Sequence, residues 1–302
     1  METFTHCEKN GQPGPVRCQA HLVNVMMTVN RRAFLGLAAA TPMATASHAW
    51  LDVRRYGAAD ELAVERADTH YAILNVSNVR EFVLGIDASA RMLRDFSSFD
   101  PDGFLHDWCE RQFGVAASSE AERAYRAYFA SYVTDDLANA PQLLDGLTRS
   151  AGQEALEDLL SSVSAKRLPK VQGVAELLHL TRQQRERLED AGTEARKAAT
   201  DMSAAARRFF EANLLAQHGI IFGLTCWLEA SLEAHMSATR GDRAASAAHL
   251  TRAAEALATI REAQALATRG SKWTYWYRGD RKMNLKALED LTGDALQRAR
   301  HP

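Results

Sequence analysis

Tyr71-Ala-Ile-Leu-Asn-Val-Ser-Asn-Val-Arg-Glu81 is the one stretch that reads as a strand running into a polar turn and then a helix. Tyr71, Ile73, Leu74 and Val76 make a short apolar run, partly β-branched and too short for a helix by itself. Asn75, Ser77, Asn78 and Arg80 crowd polar groups where that run stops. Asn78 or Ser77 can cap the following helix by accepting a hydrogen bond from one of its first free N–H groups. βα-units place their chemistry at the carboxyl end of a strand, so the polar cluster is a candidate site. A buried strand followed by a capped helix has the same pattern, and both readings stand at this level.

Downstream of this stretch the pattern is helical throughout. Val79, Phe82, Val83, Ile86, Ala90, Leu93 and Phe96 follow helical spacing. Asp100-Pro101 reads as a cap and first position, and Phe104, Leu105, Trp108, Cys109 and Phe113 line one face before Gly114 ends that helix. Ser119-Glu-Ala-Glu122 has the form of a capping box ahead of Tyr125, Tyr128, Phe129 and Tyr132. Shorter helices are expected between about Ala140 and Arg167, broken near Pro141 and Pro169. Thr181 to about Arg240 reads as two helices meeting near Thr200. Gly241 and Asp242 stop it and start the next helix over 243–268, which folds back as an antiparallel hairpin. A last helix is expected over Leu285–Arg300. The fold class is therefore all-α, an antiparallel helical bundle with a remnant strand-turn-helix on its N-terminal side. A lone strand at Ala72–Val76 would leave its backbone groups unpaired, so it should be coil or pair with a second copy or a partner chain.

The first 49 residues read as an address. No period is visible up to about Val25, where Gly11, Pro13, Gly14 and Pro15 lie. Asn30-Arg-Arg-Ala-Phe-Leu-Gly36, the small apolar run Leu37–Ala46 and the exit Ser47-His-Ala49 match an export signal of twin-arginine type. The apolar core is too short to span a bilayer stably. Cleavage after Ala49 would leave a periplasmic or secreted protein, not a membrane-bound one, and Met26 or Met27 sits at the usual distance for a start. Residues 1–49, 50–114 and 115–302 then divide into leader, strand-helix remnant with connecting helices, and bundle.

Composition narrows the function. Among 302 residues, 36 are Lys or Arg and 38 Asp or Glu, so the net charge of -2 offers no field for nucleic acid. The four cysteines, Cys7, Cys18, Cys109 and Cys226, form no C-x-x-C pair, and the ten histidines are scattered, so neither a metal nor a cofactor is expected. Cys226 and His218 sit among apolar neighbours and read as core residues. Trp273-Thr-Tyr-Trp-Tyr-Arg278, beside Lys272, Asp280, Arg281 and Lys282, is the densest aromatic run. Such rings flanked by cations suit a sugar face and a uronate carboxylate, or they anchor a loop on the bundle.

Taken together, these features resemble the carboxyl-terminal part of glycoside hydrolase family 115, whose characterised members are xylan α-1,2-glucuronidases. In that family the last strand of a catalytic barrel carries a motif similar to N-V-G-D-[IL]-K-P, followed by a helical bundle. Asn75 and Val76 match, Arg80 keeps the lysine's charge, Ser77 replaces glycine, Asn78 the acid and Glu81 proline. Phe99-Asp-Pro-Asp-Gly-Phe104, Trp108 through Gly114, the Met202–Arg240 and Arg243–Thr268 pair and Lys272-Trp273 are also similar. The resemblance runs over roughly Trp50 to Pro302 and implies a glucuronoxylan-type carbohydrate as ligand, with Asn75, Asn78, Arg80, Trp273, Trp276 and Tyr277 as its contacts. Glycosidases of ordinary mechanism need two carboxyl groups flanking the bond, and Asn78 supplies none. A (β/α)₈ barrel takes about 250 residues, whereas about 75 precede Asn78. A catalytic residue is therefore not assigned, and the chain is expected to be inactive alone, or to be a non-catalytic periplasmic module that binds a sugar acid or a partner protein.

Overall fold

A computed structural model describes residues 80–95, 98–134, 141–161, 173–270, 272–279 and 283–301. Their regular structure is helical: α1 Val83–Arg94, α2 Pro101–Phe113, α3 Val115–Ala130, α4 Asp145–Leu160, α5 Val174–Thr200, α6 Ala204–Phe210, α7 Ala216–Thr239, α8 Arg243–Thr268 and α9 Leu285–Arg300. A five-residue π turn, Glu211–Leu215, joins α6 to α7. The fold class expected from the sequence is the one found, and among the described residues there is no strand, only a single antiparallel bridge between Thr134 and Pro141. The strand expected at Ala72–Val76 and the export signal lie outside the described residues.

The bundle is organised around α7. Its apolar residues Ile220, Leu224, Trp227 and Leu228 are all but inaccessible to water, and α8, α4 and α5 pack around it. Closest is α8, because two glycines on α7 let the helix backbones approach. A methyl at Gly223 would lie 2.9 Å from the Ala256 carbonyl oxygen and 2.7 Å from Ile260 Cγ1. The turn between them uses Gly241 at φ +78, a left-handed conformation that side chains resist, and Asp242 then caps α8 by accepting from the Ala245 N–H at 2.9 Å. α9 closes the far side against α8 and α4, where Trp227 Nε1 donates to Thr292 Oγ1 at 3.0 Å.

A second, aromatic-rich core joins α2, α3, α5 and α6. Trp108, Phe113, Tyr125, Phe209 and Phe210 meet mostly edge to face, the arrangement that opposes ring edge to ring face. Gln184 on α5 pins the connection into α4. Its Oε1 accepts from the Val133 N–H at 3.3 Å and its Nε2 donates to the Leu143 carbonyl at 3.0 Å.

Several element boundaries differ from expectation. Asp100 caps α2 as expected, accepting from the Asp102 and Gly103 N–H groups. The capping box at Ser119–Glu122 is not one, since α3 begins at Val115 directly after Gly114. Glu122 lies in mid-helix and accepts from Arg126, its partner one turn on, at 2.7 Å. Nor does Asn78 or Ser77 stand next to the following helix: α1 starts at Val83 with Phe82 in the cap position and no side-chain cap. Among the described residues of the region where several short helices were expected there is one, α4, and α5 starts at Val174 instead of Thr181.

Candidate functional site

Three of the sequence-expected residues that are described, Arg80, Trp276 and Tyr277, converge on one carboxyl group. Ahead of α1, Arg80 and Glu81 turn inward and are 6 % and 2 % exposed. The Arg80 guanidinium donates to the Ala267 carbonyl near the C-terminal end of α8, an end whose free carbonyls attract cations, and lies 3.6 Å from Glu81 Oε1. The backbone carbonyl of Glu81 accepts from Gln217 Nε2 on α7 at 3.1 Å. The segment before the first helix is thereby tied to both long helices of the central hairpin.

The aromatic run supplies the other half. Residues 272–279 form consecutive turns, with the Trp276 N–H donating to the Trp273 carbonyl at 2.8 Å and the Arg278 N–H to the Tyr275 carbonyl at 3.1 Å. This winding sends two adjacent side chains to the same acceptor: Trp276 Nε1 donates to Glu81 Oε1 at 2.8 Å and Tyr277 Oη donates to it at 3.0 Å. Burial pushes the Glu81 carboxyl above its ordinary value; the hydrogen bonds from Trp276 and Tyr277 and the charge of Arg80 pull it back in part. The result is a clasp between residues 195 positions apart.

The outer side of the same run is open. Tyr275 is 74 % exposed, and Arg278 Cζ stands 5.8 Å from its ring centroid. Lys272 Nζ stands 5.0 Å from the Trp273 ring centroid, and Trp273 and Trp276 meet edge to face at 4.8 Å. Two aromatic rings each carrying a cation offer flat apolar surface for a sugar's C–H face and positive charge for a carboxylate.

Arg80, Trp273, Trp276 and Tyr277 are thus brought to one end of the bundle, whereas Asn75 and Asn78 lie outside the described residues. Glu81, the acceptor that organises the group, was visible in the sequence only as a residue standing where a proline is usual. No local signal marks a carboxylate whose donors lie so far along the chain. His218 is a satisfied core histidine, as read: its Nε2 is 2.6 Å from the Leu188 carbonyl, and burial pushes its pKa down. Burial pushes the Cys226 thiol up to about 11, which keeps it a thiol at neutral pH. Among the described residues no group of three or more His, Cys, Asp and Glu is placed to hold a metal ion, and no helix is long and apolar enough to cross a membrane.

The family model of glycosyl hydrolase family 115 matches residues 42–135. The match and the resemblance read from the residues name the same family, and the match is the narrower of the two. It takes in Arg80, Glu81 and α1 to α3 and ends before α4, so the aromatic run lies beyond it. No curated protein and no solved structure matches the chain.

Proposed function

We propose that this helical module binds acidic carbohydrate of the glucuronoxylan type, presenting the outer face of residues 272–278 to a glucuronosyl side chain. The observation that carries this reading is the pairing of rings with cations, Lys272 on half-buried Trp273 and Arg278 on exposed Tyr275. A ring stacks on the sugar, and the ammonium or guanidinium beside it pairs with the uronate. Trp276 and Tyr277 hold the run in place through Glu81, and Arg80 anchors Glu81 in turn. The family match over residues 42–135 supports carbohydrate as the ligand class. The Arg31-Arg32 signal fits delivery to the periplasm, where such oligosaccharides would be met.

The same match favours a second reading, hydrolysis of those side chains. That chemistry needs an acid and a base or nucleophile across the bond. Glu81, the carboxyl group that the aromatic run contacts, is engaged on Oε1 by two donors and shielded from solvent. Binding without turnover is therefore the reading adopted.

The test is titration calorimetry of the purified chain with 4-O-methylglucuronoxylo-oligosaccharides and with neutral xylo-oligosaccharides of the same length. Saturable binding of the acidic series, weakened in Trp273→Ala and by salt, is the expected result. Equal binding of the neutral series, or none of either, would overturn the reading.

A further inference from the structure

Beneath the clasp lies a small cavity of about 20 Å³, lined by Glu81, Tyr125, Asn213 and Gln217 with Trp108 and Leu214 among its apolar walls. Two of its polar atoms are buried without a hydrogen-bond partner, Glu81 Oε2 and Tyr125 Oη. Leaving a buried hydroxyl or carboxyl oxygen unpaired is costly, and native interiors pair such groups or place a water beside them. The remaining wall residues have one end of each amide committed. Asn213 Nδ2 donates to the Phe209 carbonyl at 2.9 Å, and Gln217 Nε2 donates to the Glu81 carbonyl, which leaves each side-chain oxygen as an acceptor.

We propose that this cavity is a built site for one small neutral hydrogen-bonding molecule, a single water, which joins Glu81 and Tyr125 to Asn213 and Gln217. The size fits: a water needs roughly 10–15 Å³ of such space and two to four polar partners. So does the count. The Tyr125 phenol O–H supplies a donor, and Glu81 Oε2 and the two amide oxygens supply acceptors, enough for the two to four bonds of one water. Burial pushes the Tyr125 phenol well up, which keeps its O–H as a donor. Asn213 and Leu214 belong to the π turn, whose extra residue per turn shifts the side-chain register locally and brings both residues to the cavity wall. The water thereby connects the clasp to the aromatic core of α2 and α3. This inference is independent of the carbohydrate reading.

Tyr125→Phe, measured by urea unfolding of the full chain, decides it. A phenol bonded to a held water loses that bond in the variant, so the folding constant should fall about fivefold. A phenol that is simply unpaired is relieved by the substitution, and the constant would stay level or rise, overturning the proposal. Pairing Tyr125→Phe with Glu81→Gln gives a second reading. Effects that depart from additivity by about threefold or more support a shared water, and additive effects refute it. A crystal structure should show one density peak within hydrogen-bond distance of both oxygens; a cavity without density would also overturn the inference.

Discussion

Replacing Trp276 with Phe removes one hydrogen-bond donor from the clasp and keeps an aromatic ring against Trp273. The bond lost is the one from the indole Nε1 to Glu81 Oε1, 2.8 Å long and partly buried. Glu81 Oε1 retains Tyr277, and Arg80 stays beside it, so the carboxyl oxygen is not stranded. The expected cost is therefore that of a single short, partly buried bond, about 1.5 kcal/mol, or roughly tenfold in the folding constant. At a urea m-value of about 3 kcal/mol/M the unfolding midpoint should fall by about 0.5 M. Far-UV circular dichroism in urea measures it, with Tyr275→Phe as the control. That ring is 74 % exposed, and its change should stay within about 0.5 kcal/mol. A Trp276→Phe midpoint indistinguishable from the control would refute the clasp as an energetic link.

Three further outcomes are expected. Gly152→Ala should cost about 1–3 kcal/mol in urea unfolding, despite the better helix propensity of Ala, because the added methyl would overlap the ring of fully buried Trp227 and strain its bond to Thr292. Glu81 has a raised carboxyl pKa, so its protonated form favours folding; stability from this group is present at low pH and is lost as pH rises through its folded value. The difference in unfolding free energy between the native chain and Glu81→Gln should accordingly decline from pH 4 towards neutrality and then level off; a flat difference would contradict the burial of that carboxyl. Purified chain incubated with 4-O-methylglucuronoxylan should release no free glucuronic acid above a heat-killed control, and release would restore the hydrolytic reading.

The legibility of this chain varies with the range of the interaction. Asp100-Pro101, Gly114 and Gly241-Asp242 act on their own backbone within a few residues, so the starts and stops of α2 and α8 could be read directly. Ser119–Glu122 misled because a capping box and an i,i+4 salt-bridge position share one spelling; what separates them is where Gly114 lets the helix begin. Trp273 and Trp276 were read as a group because their neighbours in sequence are also aromatic or basic. Glu81 was not, because its two donors come from the other end of the chain and leave no periodic trace near residue 81. The cavity is less legible still, since it depends on a π turn that a 3.6-residue period does not anticipate.

The central hairpin and the clasp differ in how far apart along the chain their partners lie. α7 and α8 meet across a turn of a few residues, so little chain entropy is lost in bringing them together. Glu81 and Trp276 meet only after 195 residues have been arranged between them. Contacts of the first kind can form early in folding and contacts of the second kind are left until late. An interaction absent from the transition state has little influence on how fast the native state is reached; it acts on how slowly that state is left. The bonds at Glu81 therefore set the lifetime of the folded protein more than its rate of formation, and the aromatic run that they hold in place is released when they open.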